Sequence, residues 1–151
     1  MNIQATVDHI LHHKGRQVWT VSPDMTVYDA IRSLAERNVG ALLVTDGDRL
    51  VGIFSERDYT RKIILKGRSS KETKVGEIVS SPVQTVTPEE TVEDCMRLMT
   101  EHRIRHLPVV QGGKVLGVIS IGDLVNWIIS AQKVAIEQMQ SYISGGYPTQ
   151  G

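Results

Sequence analysis

The chain has 151 residues, 40% of them hydrophobic, with 17 Lys+Arg against 17 Asp+Glu. That length suits one domain or two small halves sharing a core, and it buries about two-thirds of the unfolded surface without disulfide or metal staples. Zero formal charge removes the electrostatic drive toward nucleic acid or an anionic membrane, so neither is an expected partner. MNIQATVDHILHHKG has no leader pattern and no long apolar run appears. With a single cysteine, Cys95, this points to a cytoplasmic, reducing setting.

In chain order, Val7-Asp8-His9-Ile10-Leu11 opens as a short apolar turn. His9, His12 and His13 have the i, i+3, i+4 spacing of metal ligands, but no carboxylate or thiolate partner is evident, so a surface helix is the preferred reading and no metal is expected. From Val18 the chain starts to repeat itself. Val18–Ile64 overlies Val83–Ile129 at an offset of 65 without a gap, with 17 of 47 positions identical. A repeat on this scale decides the architecture.

Each copy reads alike. V-x-T-V is extended and ends at Ser22-Pro23 or Thr87-Pro88, where proline disfavours helix in the residue before it. Thr26 or Thr91 then starts a helix. Val27, Ala30, Ile31 and Leu34, like Val92, Cys95, Met96 and Met99, follow i, i+3, i+4, i+7, which makes one apolar face and places both methionines and the cysteine in the core. ALLVT and LVGIF, or LPVVQ and VLGVI, are strand-like runs joined by the turn chemistry of DGD and GGK. A second helix follows at about Glu56–Lys66, stopped by Gly67, or from Ile121, where Asp123–Ile143 reads as one long helix. The fold class is α+β, two β-α-β-β-α repeats packed by pseudo-twofold symmetry with a long C-terminal helix. The predicted organisation is repeat 1 over 6–67, a polar connector over 68–74, repeat 2 over 75–130, and a helix extension with a loose tail, SGGYPTQG, over 131–151. Val75-Gly76-Glu77-Ile78-Val79 echoes the opening turn, so each repeat has an apolar lead-in. Trp19 and Trp127 are read as core or interface fillers.

GIFSERD and GVISIGD end the two strand pairs. Ser-x-x-Asp before a helix is a capping box in its plainest reading, the hydroxyl and the carboxylate each taking an orphan N–H. Its double occurrence at one offset asks for more. These motifs, with V-x-T-V-x-P, V-G-A-L-L-V and I-R-H-L-P-V-V, resemble a tandem pair of cystathionine-β-synthase-type (CBS) domains, a Bateman module, over roughly residues 6–130.

The resemblance implies a regulatory binder of AMP, ADP or ATP, or of a related adenosine compound such as NAD or S-adenosylmethionine, in two clefts each built from both repeats. One cleft would combine Ile78, Val79, Ser80, Ser81, Ile104, Arg105 and His106 with Ser55, Arg57 and Asp58. The other would combine Lys14 to Arg16, Val39, Gly40 and Ala41 with Ser120, Gly122 and Asp123. A carboxylate accepts vicinal ribose hydroxyls well, the role given to Asp58 and Asp123. Ser55 and Ser120 would face phosphate at helix starts. Arg57, Arg105 and His106 make the Asp58 cleft the expected phosphate-rich one, with only Lys14 and Arg16 to compensate in the other. No catalytic triad, P-loop or metal cluster is legible, so no enzyme activity and no catalytic cofactor is expected. The expected partners are an adenine nucleotide, a second copy in a homodimer and an unidentified effector protein; the alternative is a ligand-independent dimerisation module.

Overall fold

The computed structural model describes residues 5–79 and 83–145; Ser80, Ser81 and the tail from Gly146 lie outside the described residues. The elements are α1 (Val7–Lys14), β1 (Thr20–Val21), α2 (Val27–Arg37), β2 (Ala41–Asp46), β3 (Arg49–Ser55), α3 (Glu56–Asp58) continuing into a π-helical stretch (Tyr59–Ile64), a 3-10 turn (Val75–Glu77), α4 (Val92–His102), β4 (His106–Gln111), β5 (Lys114–Ser120) and α5 (Ile121–Gly145). They fall into two compact units that do not follow the repeat boundaries. One takes the chain up to Gly15, Thr87–Leu107 and the chain from Ile119; the other takes Arg16–Val86 and Pro108–Val118.

The second of these, the Asp58 unit, is built on a three-stranded sheet in which β1 runs parallel to β2 and β2 antiparallel to β3. Thr26 caps α2 by accepting the Asp29 N–H at 3.2 Å. Val27, Ala30 and Leu34 are buried with Leu42, Val44, Phe54 and Ile63, and Ile31 is only half-buried. The lead-in of the other repeat docks here. Val75 N–H bonds Met25 O at 2.9 Å, Gly76 N–H bonds Pro23 O at 2.9 Å, and Val27 N–H bonds Thr73 O at 2.8 Å. The connector is therefore less solvated than its polar sequence suggests: Thr73 is buried and Ser70 O accepts the Tyr28 N–H.

The Asp123 unit repeats this docking with the roles exchanged. Val7 N–H bonds Glu90 O at 2.8 Å, Asp8 N–H bonds Pro88 O at 3.0 Å, and Val92 N–H bonds Ala5 O at 2.9 Å. Each lead-in thus satisfies the start of the other repeat's first helix, which is why the compact units cut across the repeats. α1 buries Val7, Ile10 and Leu11, and α4 buries Val92, Cys95 and Met99. Met96 departs from the expectation that it is core, being 42% exposed. It lies one residue, about 100° of helix, past Cys95, at the edge of a face that α4 buries along Val92, Cys95 and Met99.

Two further differences separate the repeats. The V-x-T-V segment of the second copy makes only an isolated parallel bridge, Val86 to Val109. In the first copy Leu43 N–H bonds Trp19 O at 3.0 Å; the residue 65 positions on is Pro108, which has no N–H to give. The helix after β3 widens to π geometry, whereas α5 is α-helical for 25 residues. Thr60 Oγ1 bonds the Glu56 carbonyl at 3.2 Å, competing for the acceptor of the regular ladder. Its counterpart in α5 is Val125, which has no hydroxyl.

Candidate functional site

The two Ser-x-x-Asp turns have the same internal geometry. Ser55 N–H donates to Asp58 Oδ2 at 2.9 Å while Asp58 N–H donates to Ser55 Oγ at 3.2 Å. Ser120 N–H donates to Asp123 Oδ2 at 2.8 Å while Asp123 N–H donates to Ser120 Oγ at 3.1 Å. Both are complete capping boxes, so the plain reading of the motif holds. In each, the box occupies Oδ2 alone. Asp58 Oδ1 has Lys62 Nζ at 3.6 Å, and Asp123 Oδ1 takes no hydrogen bond among the described residues. The two side chains stay 24% and 21% exposed.

The strand before each turn is fixed against the motif by one backbone bond. Glu56 N–H reaches Gly40 O at 3.2 Å, with Ala41 paired to Ser55, and Ile121 N–H reaches Arg105 O at 2.9 Å. Gly40 and Arg105 are repeat equivalents, as are Ala41 and His106. The Asp58 unit therefore brings together Ser55, Arg57, Asp58, Gly40, Ala41 and, through Gly52, Val79; Val39 and Arg16 belong to the same unit. The Asp123 unit brings together Lys14, Arg105, His106, Ser120 and Asp123, and it also holds Ile104 and Gly122. The combinations expected from the resemblance draw on both units. Arg57 is half-buried, whereas Arg105 and Gly122 are exposed.

Each motif carboxylate has a lysine. Lys14 Nζ lies 2.7 Å from Asp123 Oδ2, so Lys14 does supply positive charge beside Asp123. Lys62, which the sequence reading did not single out, sits 3.6 Å from Asp58 and donates to Ile78 O at 2.7 Å. Its signal was the i, i+4 spacing from Asp58. His106 is held below its ordinary range, chiefly by burial; Asp123 pulls the other way, and Lys14 and Arg105 add to the depression.

The N-terminal histidines serve the fold. His9 Nδ1 accepts the Thr6 N–H at 3.2 Å to complete a capping box, His12 bonds the Asp8 carbonyl, and His9 and His13 pack on Trp127 with ring centroids 6.4 and 6.2 Å away. Trp127 is thus a platform for the chain's own imidazoles, and Trp19 carries the Arg37 guanidinium 3.7 Å from its ring centre. Among the described residues no group of three or more His, Cys, Asp or Glu is placed to hold a metal, and no helix is long and apolar enough to cross a membrane.

Known proteins carry the same pattern. The family model of the CBS domain matches residues 9–65 and again 75–130. The mitochondrial CBS domain-containing protein CBSX3 of Arabidopsis thaliana is 43% identical over 152 residues, covering 94% of this chain and 73% of that protein. The structure of a candidate signal-transduction protein with CBS domains from Burkholderia ambifaria MC40-6 is 53% identical, with a TM-score of 0.82 over 85% of this chain and 96% of that one. A hexameric CBS-CP12 protein from bloom-forming cyanobacteria is 27% identical, with a TM-score of 0.72 over 99% of this chain and 94% of that one. The duplicated motifs, the duplicated turn geometry and these likenesses agree: the chain belongs to the CBS domain family and carries two CBS repeats in tandem.

Proposed function

We propose that this CBS pair is a non-catalytic regulatory module that binds an adenosine-type ligand, AMP, ADP, ATP or a relative such as NAD or S-adenosylmethionine, through the carboxylates of Asp58 and Asp123. The observation that carries the reading is the division of labour within each aspartate. Capping uses Oδ2, and Oδ1 remains on a part-exposed side chain at a helix start. That second oxygen is an acceptor of the kind a ribose diol needs, and its recurrence at both Ser-x-x-Asp turns supports the reading. Lys14, Arg105 and His106 in one unit and Arg57 and Lys62 in the other are cations or donors suited to phosphate.

Occupancy is read out by an effector protein or by the module's own assembly. A hexameric relative with the same fold supports self-association. Calorimetric titration and thermal shift with AMP, ADP, ATP, NAD and S-adenosylmethionine test the proposal, because a ligand specific for the folded state raises Tm with saturation. The expected result is binding of at least one of them, weakened by Asp58→Ala or Asp123→Ala and abolished in the double variant. If none of the five binds, the module is a ligand-independent assembly element instead.

A further inference from the structure

The two units differ sharply in where protons can be taken up near neutral pH. All five histidines of the chain, His9, His12, His13, His102 and His106, fall in the Asp123 unit and none in the Asp58 unit. Imidazole is the side chain whose ordinary titration lies nearest neutrality, so of the two turns only the Asp123 turn has a proton-responsive neighbour. Four of the histidines are exposed, and His106 is half-buried.

His106 opens β4 directly after Arg105, whose carbonyl accepts the Ile121 N–H at 2.9 Å and so ties the strand to the Ser-x-x-Asp turn. The charged groups acting on His106 are Asp123 from α5, Lys14 from α1 and the adjacent Arg105. Lys14 Nζ holds Asp123 Oδ2 at 2.7 Å, so the carboxylate is already paired and a proton on His106 would add net positive charge. Burial and the two cations disfavour the imidazolium, and Asp123 favours it. α1 also carries His9, His12 and His13, but His9 and His13 pack on Trp127 and His12 bonds the Asp8 carbonyl. At the Asp58 turn the repeat equivalents of Lys14, Arg105 and His106 are Val79, Gly40 and Ala41.

We propose that the Asp123 turn is a proton-coupled phosphate site, in which binding of a phosphorylated adenosine ligand protonates His106, so that lower pH tightens binding. This rests on the adenosine-binding reading above and names how that site is regulated. A nucleotide held by its ribose at Asp123 Oδ1 carries its phosphate a few bonds away, among Lys14, Arg105 and His106. A dianion there reverses the balance at the imidazole: it offsets the two cations, and the imidazolium gains a charge-assisted hydrogen bond. By linkage, a ligand that raises proton affinity is itself bound more tightly as pH falls. Adenosine, with no phosphate, leaves the balance as it is. The Asp58 turn offers Arg57 and Lys62, residue types that ionise far above neutrality, and should bind without proton uptake.

Calorimetric titration of AMP into the full chain carrying Asp58→Ala, in buffers of different ionisation enthalpy, tests this by counting protons. It is run at about pH 7.5, where a phosphate monoester with its second ionisation near 6 is already a dianion. Uptake of a fraction of a proton is expected with AMP and none with adenosine. None is expected with AMP in Asp58→Ala/His106→Gln, which keeps the other four histidines. Between about pH 7 and 8 the AMP affinity should fall about twofold or more with His106 present and stay level in His106→Gln. Imidazole NMR of the wild type needs no substitution: AMP should move the His106 titration upward and adenosine should not. AMP binding to Asp58→Ala with no proton uptake and an unmoved His106 titration overturns the coupling. AMP binding to the wild type but not to Asp58→Ala overturns the Asp123 turn as a phosphate site. If neither AMP nor adenosine binds the wild type, the adenosine reading falls and the coupling falls with it.

Discussion

The glycine of the G-h-h-S-x-x-D motif makes a direct test of how the candidate site is assembled. Gly52 lies in β3 opposite Val44 and is buried. A Cβ added there would sit 2.9 Å from Val79 Cβ and 3.0 Å from Val79 Cγ2, well inside the 3.5–4.0 Å optimum for carbon pairs. Val79 cannot simply retreat, because its N–H is bonded to Val75 O at 3.2 Å within the docked lead-in. Gly52→Ala should therefore cost about 1–3 kcal/mol from overpacking, less the few tenths that alanine recovers through the unfolded chain. In urea denaturation the midpoint should fall by roughly 0.5–1.5 M at a slope of about 2 kcal/mol/M, with the slope unchanged. The partner variants grade the effect. Val79→Ala keeps the Cβ that makes the shortest contact and should relieve little, whereas Val79→Gly removes it, so the Gly52→Ala/Val79→Gly cycle should show coupling of about 1–2 kcal/mol. If Gly52→Ala costs the same in the Val79→Gly background, the close approach of the lead-in is not what the glycine provides.

Three other outcomes are open to measurement. His106 is held low mainly by burial, so the unfolded chain binds the proton more readily than the folded one. Stability from this group is fully present above its unfolded value near 6.5 and is lost as pH falls through that value toward the folded one; His106→Gln should flatten the slope of unfolding free energy between about pH 5 and 7, and an unchanged slope refutes the assignment. Cys95 is pushed up to about 12, first by burial and then by Glu90 and Asp94, so a disulfide reagent at neutral pH should label it only as fast as the protein opens; rapid labelling of the native chain contradicts this. Lys14 lies on Asp123 Oδ2, the capping oxygen, beside the Oδ1 proposed for a ribose, so Lys14→Met should tighten adenosine and weaken AMP, each by a few-fold at about 1 kcal/mol for a part-exposed pair; ligands moving in the same direction would show that Lys14 does not exchange carboxylate for phosphate.

Much of the fold was legible because the chain states it twice. Apolar periodicity placed α2 and α4, the DGD and GGK turns placed both hairpins, and the 65-residue offset separated meaning from coincidence in each. What stayed hidden was decided by single atoms. The missing N–H of Pro108 reduces the second V-x-T-V to a bridge, and the Thr60 hydroxyl accompanies the π-helical stretch where the pattern reads as plain helix. Met96 fits the apolar period but lies at the edge of a narrow buried face. At the site, the Ser and Asp of each motif were readable as paired groups. The lysines were not readable as a pair, because Lys14 and Lys62 are not repeat equivalents: 65 positions beyond them stand Val79 and Trp127.

That inequality bears on what the duplication preserved. The backbone bonds from Glu56 to Gly40 and from Ile121 to Arg105, and the reciprocal Ser–Asp bonds, recur with distances within a few tenths of an ångström. The cations do not recur: one aspartate meets a lysine from its own helix, and the other meets a lysine from α1. The reciprocal Ser–Asp frame is thus the same in both turns, while the cation beside each carboxylate comes from a different element. Lys14 also ties its carboxylate to α1, whose His9 and His13 rest on Trp127 of α5. On the proposed reading, a ligand that took Asp123 from Lys14 would loosen the tie between that turn and α1, whereas one at Asp58 would displace Lys62, which also donates to Ile78 O at 2.7 Å in the docked lead-in.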